Sequence, residues 1–247
     1  MRTANPALSD RAFRDATAGS FEDRMTIEGT VNKTGLLLIC AIATAAWTWH
    51  LFMQSRDAAV LGPLTLIGAI GGLVFAMVTI FKKTWAPVTA PIYALLEGLV
   101  LGGVSAMFEV RFPGIAIQAV SLTFGTLVVL LLVYRARWIP VTQNFRLGIV
   151  AATGGIFFVY LITMVLGFFG IHFGSSIYGS GIVGIGFSIF VVIIAALNLV
   201  LDFDFIERGA QSGAPKYMEW YGAFGLMVTL IWLYFEILRL LAKGRQR

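Results

Sequence analysis

Charge is what this sequence has least of. Asp, Glu, Lys and Arg make up 13% of its 247 residues, about half of the roughly 25% usual in a soluble domain. A water-soluble surface needs that charge, so its absence excludes an ordinary soluble fold. Cysteine is nearly absent too. Cys40 stands alone in an apolar run, which excludes an internal disulfide and a Cys-ligated zinc and leaves a small packing residue. The two histidines, His50 and His172, sit at the outer ends of apolar runs, where an interfacial location explains them. There is no His-Glu-x-x-His, no Gly-x-Ser-x-Gly and no Lys-bearing phosphate loop. With no nucleophile–base pair, the sequence points to no enzyme and calls for no cofactor. A retinal protein needs a lysine inside a helix for its Schiff base, and the last apolar run has none before Lys243. The polar first 33 residues lack the basic start, apolar stretch and small-residue cleavage site of a signal peptide, and 1–33 is expected to be a retained polar tail.

What is present is apolar length. A membrane helix needs about 20 mostly apolar residues to cross a hydrocarbon core of roughly 30 Å. Seven runs meet this: Thr34–Phe52, Ala59–Phe81, Ala86–Phe108, Gly114–Tyr134, Leu147–Phe169, Ser180–Leu201 and Trp220–Leu241. They are apolar all round and too long for the alternating strands of a β-barrel, which run to about ten residues. The sequence thus predicts an all-α integral membrane protein, with a seven-helix domain over 34–241 and a basic C-terminal tail over 242–247. Its bulk partner is the lipid bilayer. The net charge of +5 lies in short connections and does not signal nucleic acid. The longest connection, Asp202 to Glu219, holds Gly209, Gly213 and Pro215 and is expected to be a loop.

The basic residues orient the chain. Twelve Lys and Arg fall in the N-terminal tail and the loops on its side, Lys82, Lys83, Arg135, Arg137, Arg146, Arg208 and Lys216 among them. The opposite loops carry Arg56 and Arg111 alone. The N-terminus is therefore expected in the cytoplasm. Arg239, Lys243, Arg245 and Arg247 resist the rule, because seven crossings put them outside.

Charge inside the membrane costs about 2.5–3.5 kcal/mol per residue on insertion scales, so acids in the runs are functional candidates. Asp202 ends a helical stripe of Gly181, Gly184, Ser188, Val191, Ala195 and Asn198, mostly small or polar, a composition that lets membrane helices approach closely. Asn198, one turn away, is expected to donate to the Asp202 carboxylate. Periodicity serves equally well for a solvated acid just past a helix end. Glu97 lies at the middle of the third run beside the small face of Gly98, Gly102 and Ser105. A structural glutamate bonded to a neighbouring helix is the competing reading. Glu236 precedes Arg239 by three residues, which favours an intrahelical ion pair. Asp204 and Glu207 follow Asp202 as secondary acids.

Three stretches resemble the Bax inhibitor-1 family of transmembrane proteins, bacterial branch: Asn198-Leu-Val-Leu-Asp-Phe-Asp-Phe-Ile-Glu207, the run Trp220–Leu241, and Lys82-Lys83 followed by Leu96-Glu-Gly-Leu-Val-Leu-Gly102. The resemblance covers about residues 30–241. It implies six helices around a central seventh, a location in the bacterial inner membrane, and a pH-sensitive calcium leak. In the family, aspartates on helices six and seven share a proton and hold a pore closed. Asp202 matches the first. The second falls on Thr229, which has no carboxyl. The family's second-helix arginine maps near Lys82 and Lys83, the expected counter-charge. Depth suggests Glu97 as a substitute second acid: it lies about 16 Å from the cytoplasmic end of its run, and Thr229 about 13 Å. The gate and pH sensor are thus expected in Asp202, Glu97, Asn198 and Thr229, with Asp202 and Glu97 as calcium ligands and calcium or protons as the transported ion. The other reading is a non-transporting modulator of other membrane proteins, such as a quality-control protease.

Overall fold

A computed structural model of the chain describes residues 24–55, 58–170, 177 and 179–246. His172, Arg56, Arg247 and most of the N-terminal tail lie outside the described residues. The described chain folds into seven long helices: α1 (Ile27–Ser55), α2 (Ala58–Phe81), α3 (Ala86–Arg111), α4 (Ile115–Arg135), α5 (Gln143–Phe168), α6 (Ile182–Gln211) and α7 (Met218–Arg245), with a 3-10 turn at Lys83–Trp85 before α3. All seven are long and apolar enough to cross a membrane. Their outward positions, such as Ile67, Leu73, Val128, Phe157 and Ile193, are exposed apolar side chains, as a lipid-facing surface requires.

Two boundaries differ from expectation. The N-terminal tail gives way to helix at Ile27, before the expected Lys33, because Thr26 caps α1: its hydroxyl accepts from the Gly29 N–H at 2.9 Å. The expected loop from Asp202 to Glu219 is mostly helix, and α6 continues to Gln211. Gly209 does not break it, and its missing side chain leaves room for Met25, whose Sδ lies 2.9 Å from where a Cβ would stand. The helix stops instead at Gly213, whose φ of +69° suits glycine. With 28 to 30 residues each, α1, α6 and α7 run about 42–45 Å, well beyond a core of roughly 30 Å. The starts of α1 and α7 and the end of α6 meet on the N-terminal face of the bundle.

α7 is the axis. Of its most apolar stretch 61% is buried, against 11–39% in the other six spans. On one side Leu226, Leu230 and Leu233 pack with Ala195 and Leu199 of α6 and Ile115 and Ala119 of α4. On another, Phe224, Met227 and Ile231 pack with Leu37 and Ala41 of α1, Tyr93 and Ala94 of α3, and Phe75 of α2. Trp232 reaches the α5 cluster of Ile149 and Ile156. Six helices thus surround a seventh, as the resemblance implied.

The small residues of α3 seat it on α1. A Cβ on Gly98 would collide with Thr44 Oγ1 and the Ala41 carbonyl, and one on Gly102 with the Ala45 carbonyl. The Thr44 hydroxyl crosses to the Leu95 carbonyl at 2.8 Å. Ser105 turns to α7 and shares a 2.6 Å hydrogen bond with Tyr234.

Two of the C-terminal basic residues find partners on the bundle, Lys243 within it and Arg245 at its surface. Lys243 is buried, its Nζ donating to the carbonyls of Ile177 (2.8 Å) and Gly184 (3.0 Å) and to Ser188 Oγ (2.9 Å). Arg245 donates to the Pro113 carbonyl at 2.7 Å and to Gln118 Oε1 at 2.9 Å. These residues latch the end of α7 to α6 and to the start of α4. These bonds hold the charges in the finished bundle, whereas the charge rule still opposes the seventh crossing.

Candidate functional site

Asp202 lies nine residues before the end of α6, and Thr229 eleven residues into α7. The rise of about 1.5 Å per residue brings them to one level, roughly 14–17 Å from the N-terminal face. The Thr229 side chain faces the Asp202 carboxyl, and its hydroxyl also donates to the Gly225 carbonyl of its own helix, at a long 3.3 Å. Oδ2 of Asp202 is buried and has no hydrogen-bond partner. A buried acceptor left unmade costs about 1–3 kcal/mol, so this oxygen is held against its own solvation.

Asn198 does not donate to Asp202. Its amide bonds to Thr153 Oγ1 of α5 and to the Ile194 carbonyl, each at 2.8 Å. Both amide hydrogens are thereby used, and the residue ties α6 to α5. Asp204, two residues beyond Asp202, points the other way, as helical geometry requires. It pairs with Arg146 of α5 at 2.9 Å and with Arg208 of its own helix. Glu207 accepts from the Tyr134 hydroxyl of α4 and from Gln211 at 3.2 Å. The two following acids are therefore satisfied, and Asp202 alone of the three turns inward unpaired.

Glu97 shares the depth of Asp202 but not its direction. It bonds to Tyr93, one turn earlier on α3, and lies against Gly72 of α2, Oε1 2.9 Å from where a Cβ would stand. It lines a cavity of about 510 Å³ between α2, α3 and α7. Among the described residues no hydrogen bond or ion pair joins it to Asp202. Depth along α3 fixes the level of Glu97 but not its azimuth. The faces of α3 that carry Gly98, Gly102 and Ser105 engage α1 and α7, which turns Glu97 toward α2.

The family model described as Bax inhibitor 1 like matches residues 5–246, nearly the whole chain. The chain belongs to that family. No curated protein and no solved structure matches it.

In this Bax inhibitor 1 like protein the expected lysine counter-charges do not reach Asp202. Lys82 and Lys83 are exposed, and the Lys83 ammonium stands 5.4 Å above the Tyr221 ring. They sit in the short α2–α3 link at the N-terminal face of the bundle, whereas Asp202 lies roughly 14–17 Å inside it. Glu236 forms the expected pair with Arg239, at 3.0 Å, and both bond to the Tyr160 hydroxyl of α5. His50 is exposed near the end of α1.

Two buried ions escaped the sequence reading. Glu219 is fully buried at the first turn of α7 and accepts from the Thr26 N–H and hydroxyl, both at 2.8 Å, and from Lys33 and Lys216. Its spacing from Lys216 was the one local signal, whereas Thr26 and Lys33 lie nearly 200 residues away. Lys243 had only its place near an apolar run to mark it.

The Asp202 site offers a carboxyl group and one hydroxyl. Calcium takes six to eight oxygens, and among the described residues no three acids, histidines or cysteines gather to hold a metal. The arrangement suits a proton, or a cation in passage.

Proposed function

We propose that this Bax inhibitor 1 like protein is a pH-sensitive leak for cations, calcium first among them, closed by the protonated carboxyl of Asp202 lying against Thr229. One observation carries the reading: the buried, unpartnered Oδ2 of Asp202 faces the most enclosed helix of the bundle. A neutral carboxyl is tolerable there. Among the described residues no cation pairs with an ionised one: Arg146 and Arg208 both turn to Asp204. Deprotonation therefore favours water or a cation beside the carboxylate, and admitting either separates α6 from α7. The leak rises as pH rises. Glu97, in its own cavity, acts on a different face of α7 and does not share this proton.

The setting is the bacterial inner membrane with the N-terminus in the cytoplasm, supported by twelve basic residues on that side against two opposite.

The experiment is calcium efflux from loaded proteoliposomes over a pH series. Wild type is expected to show efflux that grows with pH, and Asp202→Asn an efflux independent of pH. Wild-type vesicles without flux would overturn the proposal in favour of the non-transporting modulator.

A further inference from the structure

The cavity beside Glu97 is a lateral window onto the central helix. Val228 is, among the described residues, the one exposed position of α7 between Met218 and Lys243, and it lines this cavity with Gly225. Leu73 on the α2 wall is 64% exposed, so the opening faces sideways, where lipid tails lie. Nothing stands within 4 Å of a Cβ built on Gly225, and that missing side chain keeps the floor open. The volume of about 510 Å³ falls in the range of roughly 300–1,000 Å³ common for small-molecule sites.

Its lining is apolar except for Glu97 and Tyr93. Among the described residues no Lys, Arg or His pairs with Glu97, whereas Glu219, Asp204 and Glu236 each have a cationic partner. α2 and α7 present only apolar side chains and glycine to it. An acid is thus held at mid-membrane, at the end of an apolar recess open to the bilayer, with the complementary charge missing.

We infer that this recess binds a single-chain lipophilic amine, its nitrogen on Glu97 and its hydrocarbon tail along Leu73, Ala76 and Val228. The charge complement decides the occupant. A neutral amine arriving through the bilayer takes the carboxyl proton, and a cationic amine meets the carboxylate. Both routes give the same ammonium–carboxylate pair, and an ionised pair is worth more where water is excluded. The Tyr93 ring, edge-on to Phe224 at 4.9 Å, walls the polar end. A phospholipid tail would fill the apolar volume but leave Glu97 unanswered. This binding does not depend on the leak.

The test uses the full chain in lipid nanodiscs and measures retention of radiolabelled dodecylamine above empty discs, with radiolabelled dodecanol as the equal-length neutral probe. Saturable retention near one dodecylamine per chain is expected, with no saturable dodecanol. Glu97→Gln should weaken retention at least tenfold by removing the charge. Gly225→Leu should do so by filling the floor while Glu97 remains. Both variants are checked for an unchanged melting profile. Equal retention of dodecanol would make this an acyl-chain groove and overturn the inference. Unchanged binding by Glu97→Gln, or no saturable dodecylamine at all, would overturn it as well.

Discussion

Thr26 and Glu219 are joined twice: the backbone N–H and the hydroxyl of Thr26 both donate to Oε1 of Glu219 at 2.8 Å, across 193 residues of sequence. Lys33 and Lys216 complete the carboxylate's partners, and Gly29 leaves the room it occupies. The first turn of α1 is thereby fastened to the first turn of α7. Glu219→Gln removes the charge and leaves two ammonium groups without it. The expected cost is about 1–3 kcal/mol of stability, read as a lower melting temperature in detergent. Thr26→Val keeps the N–H bond but loses the hydroxyl's bond to Glu219 and its cap on the Gly29 N–H, at an expected cost of about 0.5–2 kcal/mol.

Asp202 faces the Thr229 hydroxyl, where the resemblance implies a second carboxyl. Thr229→Asp places two acids side by side, and like charges in one site titrate as a coupled pair. The leak of that variant should depend more steeply on pH than that of wild type. The same vesicle assay measures it, and an unchanged slope would count against Asp202 as the sensor.

Glycines at contrasting sites should part company. Gly102→Ala drives a methyl into the Ala45 carbonyl of α1. Backbone cannot step aside as a side chain can, so a loss of about 1–3 kcal/mol is expected. Gly225→Ala meets nothing within 4 Å and should stay within about 0.5 kcal/mol of wild type. Melting curves of the two variants side by side decide this.

Seven spans in series put the start of α1 and the end of α7 on opposite faces. A periplasm-active phosphatase fused after Gln246 should be active, and the same enzyme fused at the Lys82–Lys83 link should be silent. The reverse pattern would invert the proposed orientation.

Much of this architecture could be read from apolar length alone, because each span is a one-dimensional property of the chain. The stripe from Gly184 to Ala195 could be read too: it is buried as its periodicity requires. The Glu236–Arg239 pair was visible because both partners sit on one helix. What escaped depended on neighbours. The end of α6 rested on Gly213, while Gly209 before it serves the packing of Met25. The partner of Asn198 rested on Thr153, and the direction of Glu97 rested on which α3 face the glycines had already taken. Lys243 is a further case, since its three acceptors lie in or just before α6 and no pattern around it announces them.

The basic end of α7 has a consequence for how the chain is made. With the N-terminus inside, the positive charges of that tail must cross outward against the membrane potential, at about 2.3 kcal/mol per charge for each 100 mV. Their compensating partners are carbonyls and side chains of α4, α5 and α6, which exist as a receptor only once those helices have assembled. The last helix is then the one whose insertion waits on folding. Replacing Lys243 and Arg245 with glutamine should speed its crossing while weakening the finished bundle. A pulse-chase protease-protection assay and a melting curve would register these two opposite effects separately.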